Sequence, residues 1–265
     1  MASTESRSTA VTKYFKATPE KPSYIENIIA MVGGGIAFLA GLSDSSLTCL
    51  AILGFIAAGW GFLAYLAKNS SYNNAYREAE PKPSDKQMDE WMEQDKKQIV
   101  TDAVAKLGLV PEKVLNLNDP LVVIGPKSSA KFKIGGDGII RFSAYEIVVI
   151  YLTDYHLGAY SCGWDFVNGR STSEQTQEYH YTDVVSVSTL SSNTSFSVVT
   201  VDGKDHPIQS HQQFSLSVAS GESIKVTVAF PQVEAIFQQG KLLPTGSEKA
   251  ISALRTMLRE KKGGV

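Results

Sequence analysis

The histidines are the first residues to weigh for chemistry. His206 and His211 stand five apart with Pro207 between them, and His180 lies between Tyr179 and Tyr181. A protein metal centre draws three or four His, Cys, Asp or Glu side chains from short spacings, and no such set surrounds these histidines, so no metal is expected. Cys162 has no identifiable His partner to make it a nucleophile, and the many serines include no GxSxG elbow. Asp154 and Asp183 read as turn and strand-edge residues rather than a carboxylate pair for acid–base work. Gly135-Gly136-Asp137-Gly138 offers backbone N–H groups, but a phosphate loop requires GxxxxGK[ST] between a strand and a helix. Here β-type sequence flanks both sides, so the glycines read as a hairpin turn. No catalytic residue and no cofactor is expected, and the chain does not read as an enzyme. The remaining candidates are cations: Lys127, Lys131, Lys133 and Arg141 gather around that first hairpin, where they would contact anionic lipid or a ligand. The competing reading is an ordinary half-buried strand, because Lys131 and Lys133 alternate with Phe132 and Ile134.

The elements that hold these residues fall into two textures. Ile28 to Leu42 and Leu47 to Ala67 are two apolar segments separated only by Ser43, Asp44, Ser45 and Ser46. The second is long enough for a ~30 Å hydrocarbon core, and the first becomes so if it begins near Tyr24. A signal peptide is the competitor for the first, but no cleavage site followed by a polar mature start is present. Residues 23–68 therefore read as a transmembrane helical hairpin, behind a tail at residues 1–22. Four cations precede it (Arg7, Lys13, Lys16, Lys21), none lies in its loop, and Lys68, Arg77 and Lys82 follow. By the positive-inside rule both termini face the cytoplasm. Small residues spaced by four, Gly33 with Ala37 and Gly41, Gly54 with Ala58, and Ala57 with Gly61, predict close helix packing within one hairpin or between several. Apart from Thr48, with Glu26 and Asn27 near the predicted boundary, nothing in it would line a pore.

Residues 69–83 read as a linker, from their turn formers and two prolines. A capping box at Ser84 and Gln87 opens a helix predicted over 85–107, ended by Gly108. Its acidic start, Asp85, Asp89 and Glu90, complements the helix dipole. From Pro120 the texture is that of strands, predicted at 121–126, 130–134, 138–143, 146–153, 156–163, 178–190, 194–201, 213–219 and 223–229. A closing helix spans Ser247–Lys261, with Ser247 as its cap and Ala250, Ile251, Leu254 and Leu258 on one stripe.

Two strings carry a resemblance: Val148-Val149-Ile150-Tyr151-Leu152-Thr153-Asp154-Tyr155-His156-Leu157-Gly158-Ala159-Tyr160, and His180-Tyr181-Thr182-Asp183-Val184-Val185-Ser186-Val187. Together they resemble bacterial pleckstrin-homology-like and GRAM-like domains, as does a helix after the last strand. The chain is further similar to an uncharacterised bacterial two-transmembrane-helix family carrying such a β domain. The resemblance implies an antiparallel β-barrel plugged by the C-terminal helix, within residues 84–262, and brings no activity with it. Asp165–Gln177 departs from it as a long polar insertion.

The chain has 25 Lys and Arg against 27 Asp and Glu, a net charge of −2. A nucleic-acid binder needs a Lys/Arg-dense face, so nucleic acid is not expected as a partner. The expected partners are the lipid bilayer, another membrane or cytoplasmic protein, and further copies of the chain. Cys49 and Cys162 lie in different regions, and two unpaired cysteines fit a reducing compartment. The leading expectation is a membrane-anchored binding or scaffolding protein in a bacterial inner membrane. One rival is a ligand-gated effector whose hairpins assemble to disturb the membrane, marked by ligand-dependent oligomerisation. The other is a membrane-tethered enzyme, marked by a deep pocket of converging ionisable groups.

Overall fold

The computed structural model describes residues 6–43, 45–230 and 240–263. Residues 1–5 of the expected tail and Asp44 of the expected hairpin loop lie outside them. The chain forms two compact units, Ala17–Pro81 and, separately, Met1–Lys16 together with Lys82–Val265.

The first unit is the hairpin, α2 (Ile25–Ser43) and α3 (Thr48–Ala79), with a 3₁₀ turn at Ser45–Leu47. Both helices are long and apolar enough to cross a membrane. Ile29, Ile36, Leu39, Leu53, Phe55, Trp60 and Leu63 are each more than half exposed, a cost that hydrocarbon around them would remove. The expected linker at 69–83 is instead helical as far as Ala79. A helix already nucleated over the apolar stretch extends one residue at a time without a new nucleation cost. Tyr72 and Tyr76 then stack one turn apart, 5.9 Å between ring centres. Glu80, extended at φ −131°, ends the run before Pro81.

Small residues do form the α2–α3 contact, though not the full expected set. A Cβ on Gly34 would lie 2.5 Å from the Ala58 backbone nitrogen and 2.6 Å from the Gly54 carbonyl oxygen. One on Gly54 would lie 2.5 Å from the Phe38 nitrogen and 2.9 Å from the Ala37 carbonyl carbon, and Gly41 meets Ala51. Gly61 faces Asn27, Ala30 and Met31. Gly33 has nothing within 4 Å and Ala57 is exposed, so neither takes part in the α2–α3 contact. The contact repeats every seven residues, Gly34 with Gly41 and Gly54 with Gly61, which keeps one seam facing the partner over two turns.

The second unit begins with α1 (Arg7–Tyr14), which the sequence reading left inside a free tail. Val11 and Tyr14 are fully buried in the same core as α4 (Asp85–Lys106). Ser84 caps α4 by accepting from the Gln87 N–H, as the capping box predicts. Its buried stripe, Met88, Met92, Asp95, Ile99 and Ala103, has helical spacing and contains one acid.

Twelve strands follow among the described residues: β1 (Leu121–Pro126), β2 (Ala130–Ile134), β3 (Ile139–Phe142), β4 (Ala144–Leu152), β5 (His156–Asp165), β6 (Arg170–His180), β7 (Val184–Ser192), β8 (Phe196–Val199), β9 (Asp205–Ile208), β10 (His211–Val218), β11 (Ser223–Ala229) and β12 (Lys241–Leu242). They make three sheets, ordered β1-β4-β5-β6, β11-β10-β7 and β12-β3-β2-β8-β9, antiparallel except for β2–β8 and β3–β12. The single strand expected at 178–190 is two, because residues 181–183 turn, and the polar insertion is β6 paired to β5. The loop expected to hold His206 and His211 contains β9, and His211 opens β10.

β4 is buried on both faces, which is why Ile147 to Leu152 is an unbroken apolar run. Ile147, Val149 and Tyr151 face one core, shared with α1 and α4. Val148, Ile150 and Leu152 face a second core with β7, β10, β11 and α5 (Ser247–Lys261). Ala250 and Leu254 bury the inner stripe of α5, and Arg255 donates to the Val187 carbonyl of β7. The expected cap is displaced by one residue: Gly246, at φ 74°, is the N-cap, and Ser247 is the first helical residue.

Candidate functional site

The four expected cations are not presented as one surface. Arg141 on β3 is 2 % exposed and caged by acids. Its Nε and second terminal nitrogen donate to the two Asp89 carboxylate oxygens at 2.8 and 2.7 Å, and its terminal nitrogens reach Asp137 at 3.0 and 2.7 Å. Asp85 adds an ion pair at 3.7 Å. Asp85 also accepts from the Tyr14 hydroxyl at 2.6 Å and the Gly136 N–H at 2.8 Å, so α1, the start of α4 and the β2–β3 turn meet at one carboxylate. Gly138 completes that turn at φ 76°, a left-handed conformation that costs glycine little. The hydrogen bond from Arg141 pulls the Asp137 carboxyl down to about 2. Asp85 and Asp89 at the acidic start of α4 thus grip Arg141 as well as complementing the helix dipole.

Of the others, Lys133 holds its Nζ 3.9 Å from the Tyr14 ring centre. Lys127 reaches Thr172 Oγ1 at 3.5 Å, near Glu146, whose carboxyl is pushed up by burial against the pull of Lys127. Lys131 is exposed. A second grip seats α1. Arg7 forms a two-bonded ion pair with Asp95 and packs between Trp91 and Phe166, 5.7 and 5.3 Å from their ring centres. Trp164 Nε1 donates to Asp95 at 2.8 Å.

The other sequence candidates have structural roles. Thr153 Oγ1 donates to the His156 carbonyl at 2.8 Å and accepts from its N–H at 3.1 Å, closing the Asp154-Tyr155 turn. His211 is 1 % exposed, beside Phe196 at 5.0 Å, with no hydrogen-bond partner on either ring nitrogen among the described residues. Burial pushes the Cys162 thiol up to about 11, a poor starting point for a nucleophile. No three metal-ligating side chains cluster among the described residues.

A recess lies where α4 faces β1, β3 and β12, a cavity of about 290 Å³. Met92, Ile124, Pro126, Ile140, Phe142, Leu242 and Leu243 give it an apolar lining, and Glu93 and Lys96, ion-paired at 3.6 Å, add charge. An adjoining chamber of about 410 Å³ shares Glu93, Lys96, Ile124, Pro244 and Thr245 with it, and adds Lys97, Asp119 and Lys249. Tyr145 also lines the inner cavity. Its hydroxyl accepts from the Phe142 N–H at 2.9 Å, and burial pushes it up to about 12, so it keeps its proton. Sequence reading missed Tyr145 and Asp95, because nothing local separates them from ordinary core positions. The one available signal was an acid, Asp95, inside an otherwise apolar helical stripe.

Comparison with family models, curated proteins and solved structures gave no match to this chain.

Proposed function

We propose that the protein is a membrane-anchored binding or scaffolding protein of a bacterial inner membrane. Its hairpin spans the bilayer with both termini cytoplasmic, and its β-rich unit acts as a pleckstrin-homology-like recognition domain. One observation carries this reading: α1, ahead of the hairpin, belongs to the same folded unit as the chain after it. A chain that leaves a domain at residue 16 and rejoins it at residue 82 crosses a bilayer an even number of times. Two apolar helices satisfy that as a returning hairpin, independently of the flanking charges. The sheets and the docked C-terminal helix support the barrel resemblance, with closure of the barrel part of the proposal.

Single cysteines test the arrangement. In a chain with Cys49 and Cys162 replaced by serine, cysteines at the exposed positions Thr12 and Ser128 are treated with an impermeant maleimide in spheroplasts. Both should be protected until the membrane is permeabilised. Labelling of one alone would refute the hairpin, and labelling of both in intact spheroplasts would refute the orientation.

A further inference from the structure

We propose that the cavity bounded by α4, β1, β3 and β12 holds one acyl chain, with the anionic end of the amphiphile at Lys96 and Lys97. The proposal rests on reading the domain as a membrane-held recognition module and names what it recognises.

The lining selects the ligand class. Ile124, Ile140, Phe142 and Leu242 offer an approaching molecule no hydrogen bond. A peptide backbone or a sugar would leave polar groups unpaired there, at a cost of several kcal/mol for each group in an apolar setting. Hydrocarbon pays no such cost, so the apolar part of the lining favours an apolar guest. At roughly 30 Å³ for a group the size of a water molecule, 290 Å³ holds a chain of about ten carbons.

The polar groups set the end of the molecule that stays outside the apolar part. Lys96 lines both chambers, and Lys97 and Lys249 line the second. Glu93 pairs with Lys96 and Asp119 with Lys249, which leaves three ammonium groups against two carboxylates and Lys97 exposed. A carboxylate or phosphate fits that excess, and a cationic head does not. Within the cavity, Tyr145 is 6 % exposed, and its hydroxyl, which accepts from the Phe142 N–H, can donate to an oxygen carried by the bound chain. The same acyl chemistry is available from a free fatty acid or from a phospholipid.

The test uses the full chain in detergent-free nanodiscs with two photoreactive diazirine probes, a decanoic acid and a phosphatidylglycerol, and maps labelled peptides by mass spectrometry. Label on peptides carrying Met92 or Phe142 supports the proposal, and the probe that gives it identifies the source. Unlabelled carboxylates from six to ten carbons should compete about fourfold better per added methylene, levelling off beyond about ten. Leu243→Trp, at a lining position already 36 % exposed, should reduce cavity labelling at least tenfold while labelling of α2 and α3 continues as an internal control. Lys96→Gln combined with Lys97→Gln should weaken competition by decanoate but not by decanol. Label confined to α2 and α3, or cavity label indifferent to Leu243→Trp, would overturn the acyl site. Equal competition by decanoate and decanol in both proteins would overturn the anionic end. Each of these failures leaves the cysteine-labelling pattern intact, so it is distinct from failure of the anchor reading.

Discussion

The hairpin and the β-rich domain hold their elements together by opposite means. Between α2 and α3 the contact is backbone against backbone, at Gly34, Gly41, Gly54 and Gly61. In the proposed bilayer, helices would gain nothing from hiding apolar side chains, so close approach and dispersion would have to suffice. In the domain, α1 and α4 are seated by large rings and by two charge clusters, Arg141 with its three acids and Arg7 with Asp95. The contrast shows what each region tolerates. An added Cβ would meet backbone at Gly34, Gly41 and Gly54 and open space at Gly33, Gly35 and Gly59, whereas in the domain the contacts at risk are those of single charges.

Arg141 should give the largest effect. Arg141→Met leaves Asp85, Asp89 and Asp137 without their cation, and because these carboxylates are 27–41 % exposed and screened by water, the cost falls below that of a fully buried pair, to about 2 kcal/mol. Denaturant unfolding of the full chain in nanodiscs measures it, and a loss below about 1 kcal/mol would mean that the cage contributes little. The acid limb changes too. Asp137 is held at about 2 by Arg141, below the usual value near 4. Its contribution is therefore present above pH ~4 and is lost as pH falls toward 2, a slope that Arg141→Met should remove.

The glycine faces come next. Gly34→Leu or Gly54→Leu should cost about 1–3 kcal/mol through overpacking, whereas Gly33→Leu, into open space, should stay within ~0.5 kcal/mol. Resistance of the hairpin to dissociation, read by crosslinking the two helices, separates them. Equal effects at Gly33 and Gly34 would place the seam elsewhere.

His211 should give the smallest and most gradual effect. Burial lowers its pKa, so the folded state favours the neutral ring. Stability is then full above the ordinary histidine value of ~6.5 and falls as pH drops below it, by at most about 1.4 kcal/mol per pH unit. His211→Phe should flatten stability between pH 7 and 5, and an unchanged slope would assign it to other groups.

Much of this was legible where the signal is local. The Ser84–Gln87 cap, the hairpin turn at Gly135-Gly136-Asp137-Gly138 and the strand over the apolar run Ile147 to Leu152 each announce themselves within a few residues. What escaped depends on distance along the chain. α1 reads Arg-Ser-Thr-Ala-Val-Thr-Lys-Tyr, too short and polar to declare a buried face, and its anchor Asp95 is 88 residues away. Arg141 looked like a surface cation because its partners on α4 lie 52 residues upstream at Asp89. β9 and β12 are four and two residues long and take their extended form from neighbours. The cavity is a product of α4, β1, β3 and β12 together, and no window of sequence contains it.

The central claim is that the residues ahead of the hairpin are part of the domain behind it. Amide hydrogen exchange over Arg7–Phe15, in the full chain in nanodiscs, tests this directly. Because Val11, Tyr14 and Phe15 are buried, protection there should match that of β4 and fall together in Asp95→Ala. Exchange over Arg7–Phe15 as fast as an unstructured peptide, with β4 still protected, would contradict the account.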